Sequence, residues 1–156
     1  MLRAFSYRSG VRLRGTIISC DANAGSEVIF LSHATRDARA LPRPRHGRRQ
    51  ILTTETTLAL LGNAGARLRP HALLAGLGRP FALGDLRVEL LPSGHAPGAA
   101  GLWCERAARG KDGLSRVLYA GVVGPAETAA VRPADAVCLD ATFGARRFAF
   151  PAPAAA

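Results

Sequence analysis

The sequence predicts an α/β domain built from mixed β-sheets with few helices. Short apolar, β-branched runs recur along the chain, as in Thr16-Ile17-Ile18, Val28-Ile29-Phe30-Leu31 and Val117-Leu118-Tyr119. Such runs pack as strands more readily than as helices. Glycine, proline, asparagine and aspartate punctuate them at short intervals, supplying the backbone angles that turns need. One stretch, residues 54–61, has helical composition with a start and a stop signal. At 156 residues and 48% hydrophobic, the chain is long enough for one domain with a core of its own. Residues 1–150 are assigned to that domain, and the Pro/Ala tail 151–156 to a frayed, disordered end.

Residues 11–20 read as an early strand and Asp21-Ala22-Asn23-Ala24-Gly25 as a turn, with Asp21 a solvated turn residue or, less simply, a support behind a site. Val28 to Leu31 is a buried strand running into Ser32-His33-Ala34-Thr35-Arg36-Asp37-Ala38. A rigid strand that delivers a His and then an Asp into the next turn suits a metal site, because zinc takes nitrogen and oxygen donors. Residues 39–50 are basic and proline-interrupted, hence a loop or a broken helix. Arg39, Arg43, Arg45, Arg48 and Arg49 lie there beside the presumed site edge. They suit a phosphate backbone, although a solvated charged loop explains them as simply and no aromatic residue is interleaved for base stacking.

Ile51-Leu52-Thr53 is a short strand. A helix follows, capped by Thr53 or Thr54 with Glu55 in its first turn, and Gly62-Asn63 ends it. Residues 64–80 show no defined element. Residues 81–91 read as a hairpin turning at Gly84-Asp85, with Leu86, Val88 and Leu90 alternating with Arg87 and Glu89. It leads into Pro92-Ser93-Gly94-His95-Ala96-Pro97-Gly98-Ala99, where a glycine-rich turn can present an imidazole without crowding. Strands are expected at 99–105, anchored by Trp103, at 116–121 and at 135–142.

The formal charge is +10, carried mainly by arginine. Such a balance favours polyanions, nucleic acid above all; a compositional Arg bias, matched by abundant Ala, Gly and Pro, is the plainer alternative. Cys20, Cys104 and Cys138 are odd in number and not in paired spacing, which argues against a disulfide framework and a structural zinc knot. No leader and no run of membrane-spanning length is visible, so a cytoplasmic setting without a membrane partner is expected.

The residues from Ser32 to Ala38 resemble the metallo-β-lactamase-fold signature Ser-His-x-His-x-Asp-His. Further landmarks narrow the resemblance to the ligase-associated DNA exonucleases and their relatives, the β-CASP RNA-processing nucleases. Ile51–Leu61 resembles a Thr-x-x-Thr-x-x-Leu-Leu segment, and Pro92 to Ala99 resembles Pro-Ala-Gly-His-x-x-Gly-Ser, whose His is a metal ligand. Leu118-Tyr119-Ala120-Gly121-Val122 resembles a strand ending in Tyr-x-Gly-Asp, whose Asp bridges two metals. Cys138 to Gly144, with Phe148 to Pro151, resembles Glu-x-Thr-Phe-Gly and its following aromatic-Pro. The landmarks come in family order over almost the whole chain.

The resemblance implies an αββα sandwich, whole or reduced to its N-terminal part, and a site from which most ligands are missing. His33, Asp37 and His95 survive, whereas Thr35, Ala38 and Val122 stand where two His and the bridging Asp belong, and Asp140 replaces the Glu. A two-metal hydrolytic clamp is not expected. The implied protein is a non-catalytic relative that binds DNA or RNA through Arg43, Arg45, Arg48 and Arg49, or serves as a partner subunit. No cofactor is expected in that case. The alternative is a residual hydrolase with one weak zinc on His33, His95 and Asp37, Asp37 being the one candidate catalytic group. A shortened sandwich would leave a sheet face to be covered by a protein partner or by self-association.

Overall fold

The computed structural model describes residues 4–7, 10–23, 25–35, 42, 49–106 and 115–142. They form two mixed β-sheets packed face to face, with two short helices on the outer side of one sheet. The N-terminal sheet holds β1 (Phe5–Tyr7), β2 (Val11–Leu13), β3 (Ile18–Cys20), β4 (Val28–Phe30), β5 (Gln50–Thr53) and β6 (Ala72–Leu74), in that spatial order. β1, β2 and β3 are antiparallel, and β3 to β6 run parallel. The C-terminal sheet holds β7 (Phe81–Leu83), β8 (Leu86–Pro92), β9 (Ala100–Arg106), β10 (Arg116–Gly121) and β11 (Ala136–Leu139). All its pairs are antiparallel except β10 with β11.

The core follows from period-two alternation. Leu13, Ile18, Cys20, Val28, Phe30 and Leu52 point inward from one sheet, and Leu86, Val88, Leu90, Leu102, Cys104 and Tyr119 meet them from the other. Phe30 and Tyr119 meet edge to face at 6.2 Å across the layer, a favoured aromatic geometry. Burial pushes the Cys20 thiol well up and that of Cys104 to about 12, so both are inert core residues.

The expected helix is α1 (Glu55–Leu60), with the Thr54 hydroxyl capping the Thr57 amide. The undefined stretch after it contains α2 (Asn63–Leu68), a 3₁₀ turn (Arg69–His71) and β6. Gly65 lets α2 approach α1, because a Cβ there would stand 1.9 Å from the Leu58 carbonyl oxygen. The helices close over Leu31 and Ile51 through Leu58 and Leu68.

The single strand expected at 11–20 is two strands, β2 and β3. Gly15, at φ +70°, turns the chain between them. Thr16 fixes that turn by donating from Oγ1 to the Leu13 carbonyl and accepting from the Ile18 amide.

A crossover, residues 122–135, spans the outer face of the C-terminal sheet over Leu91, Trp103 and Leu118. Trp103 Nε1 donates to the Pro133 carbonyl at 3.0 Å, and Arg132 reaches the buried Glu89 carboxylate at 2.9 Å. Among the described residues this face carries no helix, so the layers are helix, sheet and sheet. The expectations at Asp37, Ala38, Arg39, Arg43, Arg45 and Arg48, at Phe143-Gly144 and over the tail lie outside the described residues.

Candidate functional site

The strands β3, β4 and β10 end at one edge of the sandwich, and the site is assembled there. β3 leads directly into Asp21, which holds a positive φ of 45°. A non-glycine residue in that region is uncommon, and aspartate tolerates it better than most. The conformation is repaid by hydrogen bonds. The Asp21 amide donates to the Phe30 carbonyl. Its carboxylate accepts from the Ser32 amide at 2.9 Å, from Ser32 Oγ at 2.6 Å and from the Tyr119 hydroxyl at 2.7 Å. Tyr119 stays protonated as a donor, because burial, then the neighbouring Asp21 charge, pushes its ionisation far up.

Ser32 passes this network on to His33, whose Nδ1 lies 2.8 Å from Ser32 Oγ. The serine hydroxyl has one hydrogen and gives it to Asp21, so it accepts from His33 Nδ1–H. The network therefore assigns the neutral imidazole a proton on Nδ1 and a lone pair on Nε2. Asp21 is not a solvated turn residue. It is the anchor of a chain running Asp21–Ser32–His33.

His95 reaches the same place from the other sheet. It follows β8 on a turn closed by bonds from the Ser93 amide to the Ala99 carbonyl and from the Ala99 amide to the Ala96 carbonyl. The Gly98 carbonyl accepts from both Thr54 Oγ1 and Thr57 Oγ1, at 2.8 and 2.9 Å. Gly98 has φ +76°, and a Cβ there would meet Thr56 Cβ at 2.6 Å, so only glycine seats the turn on α1. The Ala100 amide donates to the Ser32 carbonyl at 2.8 Å, tying the His95 turn to the His33 turn.

The two imidazoles meet edge to face, with ring centroids 5.2 Å apart and planes at 89°. Asp140, just past β11, is close enough to His33 to be acted on by that ring in its charged form. Its carboxyl lies below the usual range, chiefly through bonds from Thr142 and in smaller part through His33. Among the described residues, no group of three His, Cys, Asp or Glu side chains is placed to hold a metal ion. The His33–His95 pair supplies two nitrogen donors where zinc sites use at least three protein ligands. Thr35 and Val122 add no good donor, and Asp37 lies outside the described residues. The described donors do not fit a metal cofactor on their own.

Arg49 alone of the four proposed nucleic-acid-binding arginines is described. It precedes β5, and its Nε donates to the Ser26 carbonyl at 3.2 Å. That position is beside the start of β4, at the sheet edge opposite His33.

Sequence reasoning ranked Asp21 as a solvated turn residue ahead of a support behind a site, and it missed Tyr119 as part of the site. The available signal was an aspartate directly after a strand, next in space to the strand that ends in Ser32-His33.

No family model and no curated protein matches the chain. Among solved structures it is similar to the HARLDQ-motif metallo-β-lactamase of Cronobacter sakazakii, at 18% identity and a TM-score of 0.46, over 78% of this chain and 55% of that one. A mutant of the same protein gives 18% identity and a TM-score of 0.45, over 74% and 54%. The chain thus spans about half the length of these two structures.

Proposed function

We propose that the chain is a degenerate relative of the metallo-β-lactamase-fold nucleases, nearest to the ligase-associated DNA exonuclease and β-CASP group. In this reading it is non-catalytic and acts by binding nucleic acid, alone or as the subunit of a partner. One observation carries the reading: the edge where the strands converge keeps two apposed imidazoles, 5.2 Å apart, and among the described residues no third His, Cys, Asp or Glu is placed to hold a metal with them. The residues at 35, 38 and 122, where the family resemblance calls for ligands, are Thr, Ala and Val. The net charge of +10 favours a polyanionic ligand.

The test has two arms. Purified chain is assayed for metal content and for phosphodiester cleavage with added zinc or manganese. The expected result is substoichiometric metal and no cleavage; cleavage abolished by a chelator overturns the proposal. Binding to single- and double-stranded DNA and RNA is then measured against salt. Arg43→Ala with Arg45→Ala is expected to flatten the salt slope by about two, one unit for each phosphate no longer neutralised.

A residual hydrolase is the second reading, and the ring apposition favours it. His33 is held through Nδ1, which leaves the Nε2 lone pair to serve as a donor, and Asp37 completes the donor set in that reading. Stoichiometric zinc that disappears in both His33→Ala and His95→Ala would select it.

A further inference from the structure

At the end of the sandwich where Asp21 lies, an open cleft of about 690 Å³ runs between the β1–β2 edge of one sheet and β11 of the other. Its size falls within the usual range for small-ligand sites. Phe5 and Tyr7 line one wall, Leu139 and Asp140 the other, and Cys20 and Tyr119 the floor.

Three features define what the cleft can take. Phe5 and Tyr7 are two apart on β1 and so share a face. Phe5 packs against the core, whereas Tyr7 leaves 82% of its surface exposed at the rim. An aromatic face so exposed is a platform for another flat ring. The floor is already satisfied, because the Tyr119 hydroxyl donates to Asp21. Asp140 is exposed, and its Oδ1 accepts both bonds from Thr142. Its Oδ2 takes no bond from any described residue and can accept a donor from a ligand.

The charge pattern narrows the ligand further. The chain as a whole is strongly cationic, yet the open charged group in this cleft is a carboxylate. A phosphate is repelled from the cleft and attracted to the rest of the surface. A flat, neutral, amino-bearing ring attached to a polyanion meets both conditions. We propose that the cleft is a subsite for one unpaired nucleobase of a single-stranded nucleic acid, with its ring stacked on Tyr7 and its exocyclic amino group donating to Asp140. The inference rests on the nucleic-acid reading above and adds to it strandedness and base preference. Cytosine, adenine and guanine carry the required amino group; thymine does not.

Fluorescence anisotropy of labelled oligo-dC, oligo-dA and oligo-dT, their ribo counterparts and a duplex tests this. Wild type is expected to bind the C and A oligomers more tightly than the T oligomer. Tyr7→Ala should weaken single-strand binding about tenfold and leave duplex binding unchanged, while Tyr7→Phe keeps the stack and the affinity. Asp140→Ala should remove the preference over thymine without removing binding. Both sites are exposed, and circular dichroism confirms that each variant folds. Nucleic-acid binding that ignores base identity and survives Tyr7→Ala unchanged overturns the subsite while leaving the broader reading intact. Absence of any nucleic-acid binding overturns both.

Discussion

Two carboxylates do similar work at opposite ends of the sandwich. Asp21, where β3 ends, accepts from a serine amide, the hydroxyl of that serine and a tyrosine. Asp135, just before β11, accepts from the amide and hydroxyl of Ser115 and from the Arg116 amide. The difference lies in what each set of bonds reaches. The bonds at Asp135 join neighbouring strands of one sheet and stop at the surface. Those at Asp21 cross from one sheet to the other through Tyr119, require a positive φ, and continue through Ser32 to an imidazole. A braced carboxylate is thus ordinary turn architecture at one end and the support of a candidate site at the other. What distinguishes them is the group at the end of the chain of bonds.

Substitutions sharpen the contrast, and Asp21→Ala should have the largest effect. It strands the Ser32 amide and hydroxyl and the Tyr119 hydroxyl, and should cost about 3 kcal/mol in urea denaturation, given the penalty for unpaired buried donors. A loss no greater than that of Asp135→Ala would break the comparison. Ser32→Ala comes next. It should cost about 1 kcal/mol, and nitrogen-15 NMR of the imidazole should show that His33 has lost its preference for a proton on Nδ1. An unchanged tautomer would mean that Asp21 does not act on His33 through Ser32. Tyr119→Phe removes one of three bonds while keeping the ring packed on Phe30, so a loss near or below about 1 kcal/mol is expected.

The smallest effect belongs to Asp135. Its bonds from the Arg116 and Ser115 backbone hold its carboxyl down at about 2, against 3.8 for an ordinary aspartate. A folded value below the unfolded one stabilises the protein above pH 3.8, and that contribution fades as pH falls toward 2. Asp135→Asn should therefore lower stability modestly through the neutral region, leave stability near pH 2 little changed, and so flatten the acid limb between them. A mid-pH effect as large as that of Asp21→Ala would erase the distinction between exposed and buried bracing.

Much of the fold was legible in the sequence because the signals were local. The helix after Thr54, the hairpin around Gly84-Asp85, and the strand entering Ser32-His33 each carry their evidence within a few residues. The same holds for His95 on its glycine turn. The two histidines were recognised through patterns of this kind, and the structure brings their rings together. What was not legible depends on distant partners. Asp21 resembles any turn aspartate until Tyr119, far along the chain, is known to donate to it. The break between β2 and β3 was hidden because Thr16-Ile17-Ile18 reads as strand, although Gly15 and the Thr16 hydroxyl make it a turn. The segment 63–74 was obscured by alanine and glycine, whose value there lies in the close approach of α2 to α1.

The crossover between β10 and β11 has a consequence for how the protein would come apart. Its exposed bend at Pro125 to Thr128 is flanked by two clips, the Gly124 amide on the Ser93 carbonyl and the Ala130 amide on the Pro92 carbonyl, both at 2.8 Å. Cleavage after Glu127 by a glutamate-specific protease would leave both new ends fastened to the base of the His95 turn. The nicked chain would then migrate as one body under native conditions and as two fragments only once denatured.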